Sequence, residues 1–114
     1  MLLNSNFRYV SLLSSVISAS STTYVSGELS ESCSNFDMLL ITIIPLSGSQ
    51  RNSFIIPSLF FDNSEFYENI IESSSVYSYG AFKVSGKTIQ VACKLKAGWT
   101  GMRISAVHGI KIHI

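Results

Sequence analysis

The sequence predicts an all-β fold: a single-domain antiparallel β-sandwich, jelly-roll-like, with seven or eight strands. Short runs of β-branched and aromatic residues recur along the chain, and turns rich in Ser, Asn and Gly separate them. One run, residues 36–45, is apolar on both faces that a strand presents, which is typical of a strand covered on both sides. A lone sheet cannot supply that cover, so two layers are expected. The two apolar sets of this central strand are Leu39, Ile41 and Ile43, and Met38, Leu40 and Ile44.

The length and composition are those of one ordered domain, residues 1–114. Hydrophobic residues make up 46% of the chain and charged residues 13%, against about 25% charged residues in ordinary soluble domains. This balance excludes an unstructured chain and indicates that partners cover part of the surface. The net charge of +1 and the scattered lysines argue against the clustered basic face of a nucleic-acid-binding protein.

The N-terminal region matches neither a signal peptide nor a membrane anchor. Serines interrupt the apolar residues 10–17, and no run reaches the roughly 18 apolar residues of a membrane span. We therefore expect a soluble protein that is made in the cytoplasm and does not bind membranes.

The first half of the chain predicts strands at residues 7–17 and 23–29, joined by a Ser/Thr-rich turn and followed by the central strand. Residues 54–61 form the next apolar run. Because Pro57 cannot donate a ladder hydrogen bond, this run is expected at a sheet edge or a bulge. Residues 65–72 are too few to distinguish a helical turn from a short strand, so both remain open.

The second half begins with a β-hairpin. Residues 76–84 and 88–96 flank a Ser-Gly-Lys turn, and the second arm alternates apolar and polar residues, so one face is expected to be buried. A last run, residues 102–114, places its alternate apolar residues on one face. It is much longer than the common strand length of about five or six residues, so a break or bulge is expected at His108-Gly109.

The reactive side chains form no catalytic or metal-binding pattern, so we expect a non-enzyme without metal or cofactor. Cys33 and Cys93 could form one disulfide, but Cys93 falls in the buried alternation and is better explained as a small apolar residue. His108 and His113 lie an odd number of positions apart, which puts them on opposite faces of an unbroken strand. The acidic residues show no spacing that ties them into a site.

Four aromatic residues are the candidates for a ligand or partner surface. Tyr and Trp rings stack on the apolar faces of sugars, so this set would suit a glycan-binding surface. The same residue types are common in strands and protein interfaces, which is the competing interpretation. The candidates are Tyr67, Tyr77, Tyr79 and Trp99.

Three stretches, residues 34–39, 84–89 and 104–111, resemble small all-β modules of tailed-bacteriophage virion proteins. Such modules often form the ends of tail fibres and related appendages. The resemblance implies a Phe-Asp-x-Leu entry into a strand, here residues 36–39, and a closing Gly-Ile-Lys strand, here residues 109–111.

The chain departs from a fibre tip in two ways: it begins at its own methionine without a fibrous shaft, and it continues past Lys111. What the resemblance then implies is a capsid decoration or cement protein, which binds the shell surface and joins neighbouring subunits. Its expected partners at the virion surface are the major capsid protein, other virion proteins and further copies of itself, as a dimer or trimer. The alternative is a receptor-binding tip module of a tail fibre that recognises a glycan.

Overall fold

Two antiparallel sheets pack face to face in the computed structural model, which describes residues 7–112. The predicted all-β antiparallel sandwich is confirmed. Sheet A contains β1 (Phe7–Ser11), β2 (Ile17–Ala19), β4 (Met38–Pro45), β5 (Asn52–Pro57) and β9 (Met102–Ile112). Sheet B contains β3 (Val25–Glu28), β6 (Phe66–Ser73), β7 (Val76–Ser85) and β8 (Thr88–Ala97).

The nine described strands occupy eight positions in the two sheets, because β1 and β2 pair with different parts of β9. Sheet A has the order β1-β9-β4-β5, and β2 pairs with β9 beyond the end of β1. Sheet B has the order β3-β8-β7-β6. Antiparallel neighbours that follow each other in sequence, such as β7 and β8, are joined by short turns, whereas the steps from β3 to β4 and from β8 to β9 cross between the sheets. The core lies between the two layers.

The first predicted strand, residues 7–17, is two strands, so that prediction is wrong in its extent. Strand β1 ends at Ser11, and Leu12 is buried with its N–H donated to the Val107 carbonyl at 2.8 Å. The doubled apolar pairs Leu12-Leu13 and Val16-Ile17 already break the alternation of a single strand. Both β1 and β2 pair with β9, so the chain bends and continues along the same edge.

Two segments that the sequence left uncertain are edge strands. Strand β5 ends at Pro57, which confirms the predicted edge position, because a proline is tolerated where no ladder donor is needed. Residues 65–72 contribute to the strand β6, not to a helical turn, and β6 pairs with β7 along its length. The pairing of these residues with β7 therefore decides between a helical turn and a strand, which residues 65–72 alone could not.

The predicted hairpin is confirmed as β7 and β8. Its register pairs Ser85 with Thr88, so Gly86 and Lys87 form a two-residue loop. Gly86, the first of the two loop residues, has φ +57, and the two-residue turns that join hairpin strands require a positive φ at this position.

Strand β9 runs unbroken through His108-Gly109, so the break or bulge predicted there is wrong in its position, although the strand does contain a bulge. Its irregularity lies opposite Thr42 and Ile43, where Ser105 is the extra residue. One inserted residue exchanges the two faces of a strand. The predicted single apolar face of residues 102–114 is therefore also wrong: before Ser105 the alternate apolar residues face the core, and after it they face outward. His113 and Ile114 lie outside the described residues.

The core contains both cysteines, which are free and buried, so the disulfide is absent and Cys93 is a small apolar core residue as expected. Burial raises the pKa of both thiols. The largest fully buried side chains come from both layers: Phe82, Leu12, Leu29, Leu39, Ile41, Ile43, Ile56, Ile70, Ile89, Met102 and Ile104.

The stretches that carry the phage resemblance meet at one end of the sandwich. A Cβ on Gly109 would lie 2.7 Å from the Phe36 ring, so only glycine lets this ring pack on β9. The Asp37 carboxylate accepts the Ile112 N–H at 2.6 Å and pairs with a lysine on the same strand. The Cys33 N–H donates to the carbonyl of the β7–β8 turn at 2.8 Å. These residues hold the entry of β4 to the end of β9 and to the hairpin, so their role is structural.

Candidate functional site

The four aromatic candidates separate into three surface residues and one core residue. Tyr67, Tyr77 and Tyr79 lie on the outer face of sheet B, because they alternate with core-facing neighbours along β6 and β7. Trp99 is 9% exposed and belongs to the core cluster, with its indole nitrogen close to Gly48. Placing Trp99 on a common surface with the tyrosines was therefore wrong: its glycine-bounded turn folds the ring back against the end of the sandwich.

The outer-face tyrosines form a stacked platform. Tyr67 and Tyr79 stack in parallel, with ring centroids 5.6 Å apart and an interplanar angle of 2°. Tyr67 is 49% exposed, and Leu95, paired with Tyr79, is 60% exposed. We call this surface the tyrosine platform and define it by Tyr67, Ile71, Tyr77, Tyr79 and Leu95.

A polar cluster adjoins the platform. The hydroxyls of Tyr24 and Tyr67 each donate to one oxygen of the Glu65 carboxylate. The ammonium groups of Lys83 and Lys94 lie 4.5 and 5.2 Å from the centroid of the Tyr24 ring. Sequence reasoning missed Tyr24 and Glu65 because they are 41 residues apart and no local pattern links them.

The hydrogen bonds of this cluster change the acidity of its members. Both tyrosine hydroxyls, followed by the two lysine charges, hold the pKa of Glu65 below its usual value. Burial and then the Glu65 carboxylate raise the pKa of Tyr24, and the hydrogen bond to Glu65 raises the pKa of Tyr67. The cluster is thus satisfied by its own contacts at neutral pH, with Glu65 charged and both hydroxyls protonated.

The outer face of sheet A is different, because apolar side chains cover most of it, and its charged residue, Arg103, lies at one end, opposite Ile44. Four of its large side chains are about half exposed: Phe7 50%, Tyr9 52%, Ile55 53% and Ile112 46%. We call it the apolar face. In register across the sheet its rows are Phe7 and Ile112; Tyr9, Ile110, Met38 and Pro57; and Ser11, His108, Leu40 and Ile55.

The central strand β4 accordingly has one covered face and one open face. Leu39, Ile41 and Ile43 are fully buried between the sheets, whereas Met38 and Leu40 are only partly covered on the apolar face. The expectation that this chain covers both faces of its central strand is wrong for Met38 and Leu40, but Ile44, at the other end of the outer face, is only 6% exposed. The second sheet lies on one side only.

His108 lies in the middle of the apolar face and stacks on Tyr9. The ring centroids are 4.7 Å apart and the planes differ by 4°. Its Nδ1 atom is buried and has no hydrogen-bond partner among the described residues. A polar atom in this position has lost its contact with water without replacement.

The described residues offer surfaces instead of an enclosed site. Across residues 7–112 the structure has no pocket and no group of three His, Cys, Asp or Glu residues placed to hold a metal ion. In that same part of the chain, no helix has the length and apolar character to cross a membrane. The outer face of sheet A can make apolar contacts, and the outer face of sheet B can make aromatic stacking contacts.

Comparison of the sequence with known proteins finds no matching family model and no matching curated protein.

Proposed function

We propose that this chain is a non-enzymatic structural protein of a bacteriophage virion, a capsid decoration protein that binds the shell surface and joins neighbouring subunits. The observation that carries the proposal is the apolar face of sheet A. An assembly protein acts through such a surface, because burying apolar area is the main driving force of protein association. The assignment to a virion comes from the three stretches that resemble phage modules.

The size of the apolar face supports a role in protein contact. Its four half-exposed side chains alone expose on the order of 400 Å², which is the size of the largest apolar patch on a typical monomer, and such a patch is often functional. A partner that covered this area would remove it from water, which is favourable.

Cryo-electron microscopy of the phage particle encoded with this gene tests the virion assignment. Density for the sandwich on the outer shell is the expected result. Density confined to the tail would reject decoration and favour the alternative below, and a particle without this chain would reject both.

The tyrosine platform favours a second candidate function, the recognition of a glycan by a receptor-binding tip module. The parallel Tyr67 and Tyr79 rings are suited to stack against the apolar face of a sugar ring. A glycan array, followed by titration of any bound sugar with Tyr67→Ala and Tyr79→Ala variants, tests this function.

The chain provides a matched control for that titration. Tyr9 is exposed to a similar extent, 52% against 49% for Tyr67, but lies on the other sheet. Loss of binding in Tyr67→Ala with retention in Tyr9→Ala is expected for a platform ligand. Equal binding by all these variants would remove the platform from consideration.

A further inference from the structure

We propose that a second copy of this chain covers the apolar face, so that two chains pack sheet A against sheet A around a two-fold axis. The inference rests on the proposed function for the role of this face in assembly, and it names a second copy, not the shell, as the partner that the face contacts. The shell would then be bound through another part of the dimer. Its first argument is the pattern of β4. Strands with apolar residues on both faces are normally buried on both faces, and this chain leaves Met38 and Leu40, on the outer face, only partly covered.

The charge distribution favours a copy of the same surface as the occupant. In a two-fold interface the patch meets itself, so a charged patch would repel its counterpart. The charged residues of β1 and of the end of β9 point away from the apolar face. Arg8 pairs with Glu31 at 3.3 Å and Lys111 with Asp37 at 3.5 Å, on the opposite side of the strands. The apolar rows between them contain no Lys, Arg, Asp or Glu, so two copies of this face can meet without like-charge repulsion.

The edges of the face are polar, as the rim of an interface is. Beyond the apolar rows, Thr42 and Ser53 share a hydrogen bond of 3.0 Å across β4 and β5. Arg103 follows past the bulge, where it pairs with Ile44. The bulge at Ser105 explains why one part of the outer face is apolar and the other polar, because it turns the apolar residues of the second half of β9 outward.

Geometry and area set the expected strength of the dimer. Two sheets packed face to face lie about 10 Å apart with strand directions within about 30°. The contact would bury on the order of 1,000 Å² over both copies, at the lower end for specific interfaces. Interfaces of this size are typically weak or transient, so we expect the dimer to respond to concentration and to single substitutions.

Sedimentation velocity of the purified chain tests the proposal, with light scattering for the molar mass. From about 1 to about 300 µM the wild-type chain should shift from monomer towards dimer. Ile55→Lys places a charge in the face and should raise the dissociation constant by roughly tenfold or more. The matched control is Ile71→Lys: Ile71 is 56% exposed against 53% for Ile55, and it also lies on an edge strand, but in sheet B.

The outcomes separate clearly. Wild-type chain that stays monomeric over the whole range overturns the proposal, as does a trimer, which a two-fold contact cannot form. Equal weakening by Ile55→Lys and Ile71→Lys places the contact elsewhere and also overturns it. Circular dichroism and thermal melting of both variants verify the fold, and Ile112→Lys at the other end of the face replaces Ile55→Lys if that variant unfolds.

The particle distinguishes this inference from the proposed function. A monomer in solution that still decorates the shell would reject the second copy and keep the decoration role. A dimer in solution that is absent from the particle would keep the second copy and reject the decoration role.

Discussion

The outer faces of the two sheets use exposed aromatic and aliphatic residues in opposite ways. On sheet B, Tyr24 and Tyr67 converge on Glu65, and the small residues Ala81 and Ala92 are fully buried beside the larger side chains of the face. On sheet A, Ile55 and its apolar neighbours remain half exposed. We call the outer face of sheet B the completed face, because its side chains bury Ala81 and Ala92 and hold Glu65, although Tyr67 and Leu95 are still about half exposed. The apolar face of sheet A shows no comparable hydrogen-bonded cluster among the described residues.

The difference teaches that exposure of an aromatic residue does not by itself indicate a binding site. Tyr67 and Tyr9 are exposed to nearly the same fraction, but the Tyr67 hydroxyl is held by a carboxylate and its ring by Tyr79. Tyr9 stacks on His108 within apolar rows that contain no Lys, Arg, Asp or Glu. The neighbours of each ring therefore distinguish the two surfaces: Tyr67 belongs to the hydrogen-bonded tyrosine platform, and Tyr9 belongs to the apolar face.

The largest expected effect comes from a charge placed in the completed face. Ala92→Asp should lower the free energy of unfolding by about 3 kcal/mol, because Ala92 is fully buried at the centre of sheet B and the new carboxylate would lose its water. The matched variant is Ala106→Asp, on the outer face of the central strand β9 in sheet A. Since Ala106 is partly exposed, its loss should be about 1 kcal/mol.

Urea unfolding of the two variants measures this difference. Equal losses would mean that the two outer faces are covered to the same extent in solution. The experiment should be run at low micromolar concentration, where the apolar face is expected to be free.

The local patterns of the sequence predicted the parts of the fold that depend on neighbouring residues. The alternation of β8 and the Gly-Lys turn specify the hairpin without reference to other strands. The bulge at Ser105 could not be predicted, because it depends on the register of β9 against β4, about sixty residues away. That single residue decides which apolar side chains of β9 reach the core.

The candidate sites show the same limit. Three of the four aromatic candidates lie on one face because alternation along β6 and β7 is local, but the contact of Tyr24 with Glu65 requires tertiary structure. An apolar strand face predicts burial without telling whether the cover comes from the same chain or from another. For Met38 and Leu40 the sequence suggested the same chain, and the structure leaves them half covered.

Acid should weaken the completed face through Glu65. Its pKa is lowered in the folded state, so as pH falls below the ordinary glutamate pKa of about 4.3 the unfolded chain binds this proton first. The stability that Glu65 contributes is therefore present above that pH and is lost as pH falls towards the lowered pKa. Urea unfolding from neutral pH to about pH 3 should show a smaller acid-induced loss for Glu65→Gln than for the wild type.

Tyr24→Phe sharpens this test, because it keeps the ring beneath Lys83 and Lys94 and removes one hydroxyl donor. Tyr24→Phe should reduce the acid-induced loss of stability, but by less than Glu65→Gln does. An acid profile unchanged in both variants would contradict a stabilised carboxylate at this position.

The smallest effect is expected at the centre of the apolar face. His108→Phe keeps a flat ring on Tyr9 and removes the buried Nδ1 that has no partner among the described residues, so the free energy of unfolding should be unchanged or rise by up to about 1 kcal/mol. His108→Ala, which removes the stack as well, should lose about 1 kcal/mol. Thermal and urea unfolding at low protein concentration measure both. A clear loss in His108→Phe would show that Nδ1 has a stabilising contact, and His108 would then be a satisfied polar group within the apolar face.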